Sequence, residues 1–164
     1  MKNLLLSLLV IYTVLLSAAC PQNATREAAK ASYSLSGLTV DVAKGTARAY
    51  QDGIIGIETK DRIANYLKTI SIGGKRFNNT LEIFVKESGE NLPTDKLAIL
   101  NTIFNDEVIA PFLEILTALK VLPSEKAQYL RTAIAALRSS ILIISAGFTA
   151  KGLEINTGGL NAYV

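Results

Sequence analysis

The chain has 164 residues, 49% of them hydrophobic, with one cysteine, one methionine, no histidine and no tryptophan. Seventeen Lys and Arg against fourteen Asp and Glu leave a formal charge of +3, too even a balance for nucleic-acid binding, which needs a clustered basic face. Without histidine, and with a single cysteine, the usual zinc, haem and iron–sulfur ligand sets and the Ser-His-Asp and Cys-His catalytic arrangements cannot be built; no EF-hand-type spacing of carboxylates is present, and no cofactor is expected.

The first twenty residues form one unit. Lys2 gives a short positive start, residues 4–16 are apolar apart from Ser7 and Thr13, with Tyr12 amphipathic, and Ser17, Ala18 and Ala19 are small. A permanent bilayer span needs about 20 apolar residues. This run is shorter and has the order of a secretory signal peptide over residues 1–19. Leu16-Ser17-Ala18-Ala19-Cys20 is similar to the lipobox of bacterial lipoproteins, with Ser17 where a leucine is commoner. The resemblance covers only this segment. It implies a diacylglycerol thioether at Cys20, cleavage before it and acylation of the new amino terminus. Pro21 stands where an aspartate would retain such a protein at the inner membrane. The resemblance therefore implies a lipid anchor in the cell membrane or, where the host has two membranes, the outer membrane, with the domain facing the periplasm or the exterior. Two other readings of the same residues are an ordinary signal cleaved after Ala19, leaving a free thiol, and an uncleaved anchor. A lone exposed thiol is a liability in an oxidising envelope, which favours lipidation.

After a lipidated linker at 20–23, residues 24–152 read as one domain, with a tail at 153–164. Gly53 and Gly56, residues 88–91 and Leu122-Pro123 divide the domain into helices at 24–52, 58–87, 94–121 and 124–150. Asn23 and Ser124 suit the amino-terminal caps of the first and last, and Gly53 the end of the first. Each helix would be roughly 40 Å long. Similar lengths and short connections predict an all-α, antiparallel up-down-up-down four-helix bundle.

The apolar spacing supports that prediction. The first helix repeats Ala28, Ala31, Leu35, Leu38, Val42, Gly45 and Ala49, and the second Ile63, Leu67, Ile70, Gly74, Phe77, Leu81 and Phe84. Both alternate steps of three and four, a heptad seam. An antiparallel register setting Leu38 against Gly74 and Gly45 against Leu67 opposes a large and a small residue in nearly every layer. The third helix carries Leu97, Leu100, Phe104, Val108, Ile115 and Ala118, and the fourth Ala127, Leu130, Ile134, Leu137, Ile141, Ile144 and Phe148. Glu107 and Glu114 are spaced like Arg131 and Arg138, so a register pairing Glu107 with Arg138, Glu114 with Arg131 and Lys120 with Glu125 is expected for these two helices.

Few residues suggest chemistry. Pro111 cannot donate to the carbonyl of Glu107 and predicts a kink. A kinked helix offers a candidate ligand groove lined by Phe104, Pro111, Phe112, Ile134 and Leu137. Asp106, Glu107 and Glu114 would matter catalytically only if they turned inward together. Lys75-Arg76 reads as a solvated basic pair, the cations of Lys44-Arg48 and Lys60-Arg62 are offset by nearby carboxylates, and Tyr33, Tyr50, Tyr66 and Tyr129 read as core-edge residues with wet hydroxyls. The apolar stretch 139–148 has seam spacing and reads as core. The expectation is therefore a lipid-anchored envelope protein with an interaction or scaffolding role and no catalysis, held at the membrane by its lipid and meeting an envelope protein partner. The alternative is a binding module holding an apolar ligand near Pro111.

Overall fold

A computed structural model of the chain describes residues 21–89 (side chains from 28), 91–119, 127–149, 155 and 160. The signal peptide, Cys20, the Ser124 cap and the Lys120–Glu125 pair lie outside the described residues. Four helical rods and no strand are found among those described. α1 is Pro21–Gln51 and α2 is Ile57–Ser88. α3 is built from Thr94–Phe104, a π-helical turn at Asn105–Ile109 and Ala110–Leu119, and α4 is Gln128–Thr149.

α1 begins three residues before its expected start, so residues 21–23 are helix where a linker was expected. Pro21 is compatible with that start because the first turn needs no donor from it and its φ is already helical. α1 stops at Gly53, whose φ of 69° is left-handed. There the Ile54 N–H donates to the Ala49 carbonyl at 2.8 Å and Gly53 to Tyr50 at 3.0 Å, satisfying carbonyls that the helix end leaves open. Gly89, whose φ is also positive at 70°, ends α2 and donates to Val85 at 2.9 Å.

The rods form the antiparallel up-down-up-down bundle. α1 borders both α2 and α4, α3 packs chiefly against α2, and the most extensive interface joins α1 to α4. Direction is visible in the cross-helix contacts. Leu35 and Tyr50 of α1 meet Gly74 and Lys60 of α2, while Tyr66, Arg76 and Glu87 of α2 meet Glu114, Glu107 and Lys96 of α3. The expected seam residues are at the core: Ala28, Leu35, Val42 and Ala49 of α1, Ile63, Leu67, Ile70, Phe77 and Leu81 of α2, and Leu130, Leu137, Ile141 and Ile144 of α4 are buried. Phe77, Phe104 and Phe148 join three helices at the centre, with ring centroids 5.4, 5.3 and 6.3 Å apart. α4 is long and apolar enough to cross a bilayer by length and composition, but its buried face packs into this core. The tail returns to the bundle, for Leu160 is fully buried in the core and Ile155 packs against it.

Three expected pairings are corrected. Gly74 faces Leu35, since a Cβ on Gly74 would lie 3.5 Å from Leu35 Cδ1, and not Leu38, one turn away. Gly45 faces Leu130 of α4 and not Leu67, since a Cβ on Gly45 would lie 3.1 Å from Leu130 Cδ1 and 3.3 Å from its Cα. α1 divides its seam between two neighbours, so a register drawn for one neighbour misassigns the other. Glu107 pairs with Arg76 of α2 and not with Arg138, and Glu114 accepts a hydrogen bond from the Tyr66 hydroxyl at 3.5 Å. Both carboxylates turn to α2 because α3 approaches α2 far more closely than it approaches α4.

α1 also buries three hydroxyls that the apolar seam does not include. Ser32, Thr39 and Thr46, seven residues apart, are buried. They donate to carbonyls of their own helix, Ala29, Ser36 and Val42, at 2.7, 2.8 and 2.8 Å. Each buried polar atom is thereby satisfied locally, which removes most of the cost of burying it.

The kink expected at Pro111 takes the form of a widened turn just before it. Ala110 donates to the Asn105 carbonyl, five residues back, the signature of a π turn. Gly73 of α2 sits against that turn. A Cβ on Gly73 would overlap the Glu107 Cβ and lie 2.8 Å from the Glu107 carbonyl oxygen. This is the carbonyl that loses its α-helical donor to Pro111, and the bare glycine lets the α2 backbone come up against it.

Candidate functional site: a groove between α1 and α4

The residues of the anticipated ligand groove are packed interior. Phe104, Phe112 and Leu137 are fully buried, Pro111 and Ile134 are buried, and Phe104 lies against the Phe77 and Phe148 rings. The carboxylates of α3 do not converge. Asp106 is exposed, Glu107 is bound to Arg76 and Glu114 reaches Tyr66. Among the described residues no group of three or more His, Cys, Asp or Glu side chains is placed to hold a metal ion.

Among the described residues a concave feature lies on the surface between α1 and α4, with a volume of about 430 Å³. Asp41, Lys44, Gly45 and Arg48 line it from α1, and Tyr129, Thr132, Ala133 and Ala136 from α4. Its floor follows from the close approach at Gly45, where the α1 backbone meets Leu130. With small residues on both helices, no long side chain fills the trough. Further along the same interface, the Ser34 and Ser140 hydroxyls are 2.9 Å apart and Ser140 donates to the Ala31 carbonyl at 3.0 Å, tying the two helices at a second level.

The rim is charged but internally balanced. Lys44 lies 3.7 Å from Asp41, and Arg48 Nε lies 3.7 Å from Asp52. The Arg48 guanidinium stacks over the Tyr129 ring at 4.6 Å, and the Tyr129 hydroxyl donates to Asp52 at 3.3 Å. Burial raises the Tyr129 pKa above its ordinary 10.0; the Asp52 charge and hydrogen bond add to the rise, and Arg48 opposes it. The phenol is therefore a firm donor at neutral pH, and this trio fixes one end of the groove. Two further cations of this end are likewise neighbour-paired, Lys60 with Asp61 and Arg62 with Glu58, each at 3.2 Å.

Of the sequence-derived expectations, the balanced charges at this end and the core-edge placement of Tyr129 are found as stated. Lys75 and Arg76 are exposed as expected, but Arg76 is also bound to Glu107 of α3. The groove itself was missed. Its signal was present as Gly45 in α1 and as Ala133 and Ala136 in α4, small residues that permit close approach once the two helices are known to be neighbours. The chain matches no family model, no curated protein and no solved structure.

Proposed function

We propose that the chain is a lipid-anchored envelope protein that holds an extended segment of another envelope component in the α1/α4 groove, without catalysis. The observation that carries the reading is the groove: an open trough floored by Gly45, Ala133 and Ala136, with Lys44, Arg48 and Asp41 at its rim. A floor of small residues admits a backbone, and paired rim charges can exchange partners with a polar segment. The anchor rests on the lipobox-like run ending at Cys20. Lys44 lies 23 residues beyond Pro21 along a continuous helix, so the groove would be carried about 35 Å from the anchored end.

A photo-crosslinking residue at Ala136 in intact cells should give one discrete protein adduct, lost on combined Lys44→Glu and Arg48→Glu exchange with helical content unchanged. Labelling no stronger than from the same residue at Ile72, an exposed position on α2, would count against the groove. Radiolabelled palmitate should enter the wild type and not Cys20→Ser; equal labelling of both would count against the anchor.

A further inference from the structure

α1 and α4 share an exposed face that carries no charge. Between Lys30 and Asp41 the α1 sequence has no charged residue. From Thr132 to Thr149 every exposed residue of α4 is uncharged, Arg138 being half-buried. Three large apolar side chains stand out on this face, Tyr33, Val40 and Ile143, exposed at 63, 49 and 50%. The Ser34 and Ser140 hydroxyls, 2.9 Å apart, join the two runs into one surface. Tyr33 and Gly37 flank Ser34 on one side of that contact, and Ile143 lies one turn from Ser140 on the other. A Cβ on Gly37 would meet nothing within 4 Å, so the surface is open there.

We propose that two copies of the chain meet on this face, side by side in one membrane. The inference rests on the lipid anchor at Cys20 and goes beyond the groove. An uncharged surface is matched by another uncharged surface, and the exposed charges of Lys30, Asp41 and Lys44 border it as the polar rim of an interface does. A two-fold axis parallel to the helices, passing along the seam between α1 and α4, sets α1 of each copy against α4 of the other without changing height. The Ser34–Ser140 and Gly45–Leu130 contacts give the heights. Val40 stands within about one residue's rise of the exposed Ala135, and Tyr33 stands between Ser139 and Ile143. The uncharged run of α1 therefore lies on the uncharged run of α4, with valine against alanine and tyrosine against isoleucine. The same axis keeps both Pro21 ends on one side, as two anchors in one bilayer require. The face covers only roughly 16 Å of α1, which is small for a dimer in dilute solution. Confinement of anchored chains to a bilayer supplies the effective concentration that a small interface needs.

Cys20 is the chain's only cysteine and is blocked once it carries lipid, so an introduced cysteine reports without background. Full-length anchored protein carrying Gly37→Cys, Ile143→Cys or Ile72→Cys would be treated in intact cells with a short bismaleimide. Gly37 and Ile143 border the seam on which the axis lies, so each meets its own counterpart, whereas Ile72 is exposed on α2. Gly37→Cys and Ile143→Cys should each give a band at twice the chain mass, and Ile72→Cys should give none. Adding Val40→Lys should remove the band with helical content unchanged. An anchored chain that gives no such band, an equal band from Ile72→Cys, or an adduct of any other mass, which would put a different protein on the face, overturns the dimer and leaves the anchor standing. A wild-type chain that carries no lipid by mass spectrometry overturns the anchor and the same-membrane dimer together.

Discussion

A single methyl at Gly73 would collide with the Cβ and carbonyl of Glu107, whereas at Gly74 it would meet Leu35 at an ordinary 3.5 Å. Gly73→Ala should therefore push α2 off the π turn and cost about 1–3 kcal/mol or more. Gly74→Ala should be neutral or gain up to ~1 kcal/mol from better helix propensity. Urea denaturation of the chain from residue 21 separates the two, and equal effects would contradict the geometry. The heptad pattern selected Gly74 as the glycine that matters, because it lies on the apolar seam. Gly73 lies beside the seam, and its role depends on the third helix. Tyr129 supplies a second test at this scale. Its raised pKa means that folding favours the protonated phenol. That contribution is complete below the unfolded value near 10 and is lost as pH climbs through the higher folded value. Above pH 10 the urea midpoint of the wild type should fall more steeply than that of Tyr129→Phe.

α3 shows how far one helix can be read by itself. Pro111 announced a disturbance, and its missing N–H located it at Glu107. The form of the disturbance, a π turn in place of a sharp kink, depends on Gly73 of another element. The seven-residue spacing of Glu107 and Glu114 was equally legible, but spacing on one helix does not say which neighbour answers it. Arg76 and Tyr66 on α2, ten residues apart, are the side chains that meet them. A double-mutant cycle decides the assignment. Reversing the charges at Arg76 and Glu107 together should recover about 0.2–1 kcal/mol relative to the summed single losses. The corresponding cycle for Glu107 and Arg138 should show no coupling.

For the whole molecule, helix number, approximate lengths and antiparallel direction were readable because they follow from breakers and apolar period alone. The order of neighbours was not, since small and hydroxyl residues on α1 serve either side equally well until α4 is placed. The tail was readable only as apolar-tipped, yet Leu160 is fully buried in the core. Leu160→Ala should cost roughly 2–5 kcal/mol, read as a lower urea midpoint of the whole chain; an unchanged midpoint would mean that the tail is dispensable. The dominance of the α1–α4 interface has a consequence in time. Synthesis and any passage across a membrane proceed from the amino terminus, so α1 emerges about a hundred residues ahead of the helix it packs against most. Until α4 follows, the α1–α2 hairpin has one flank open. The order of the helices around the core thus delays final closure until nearly the whole chain has emerged.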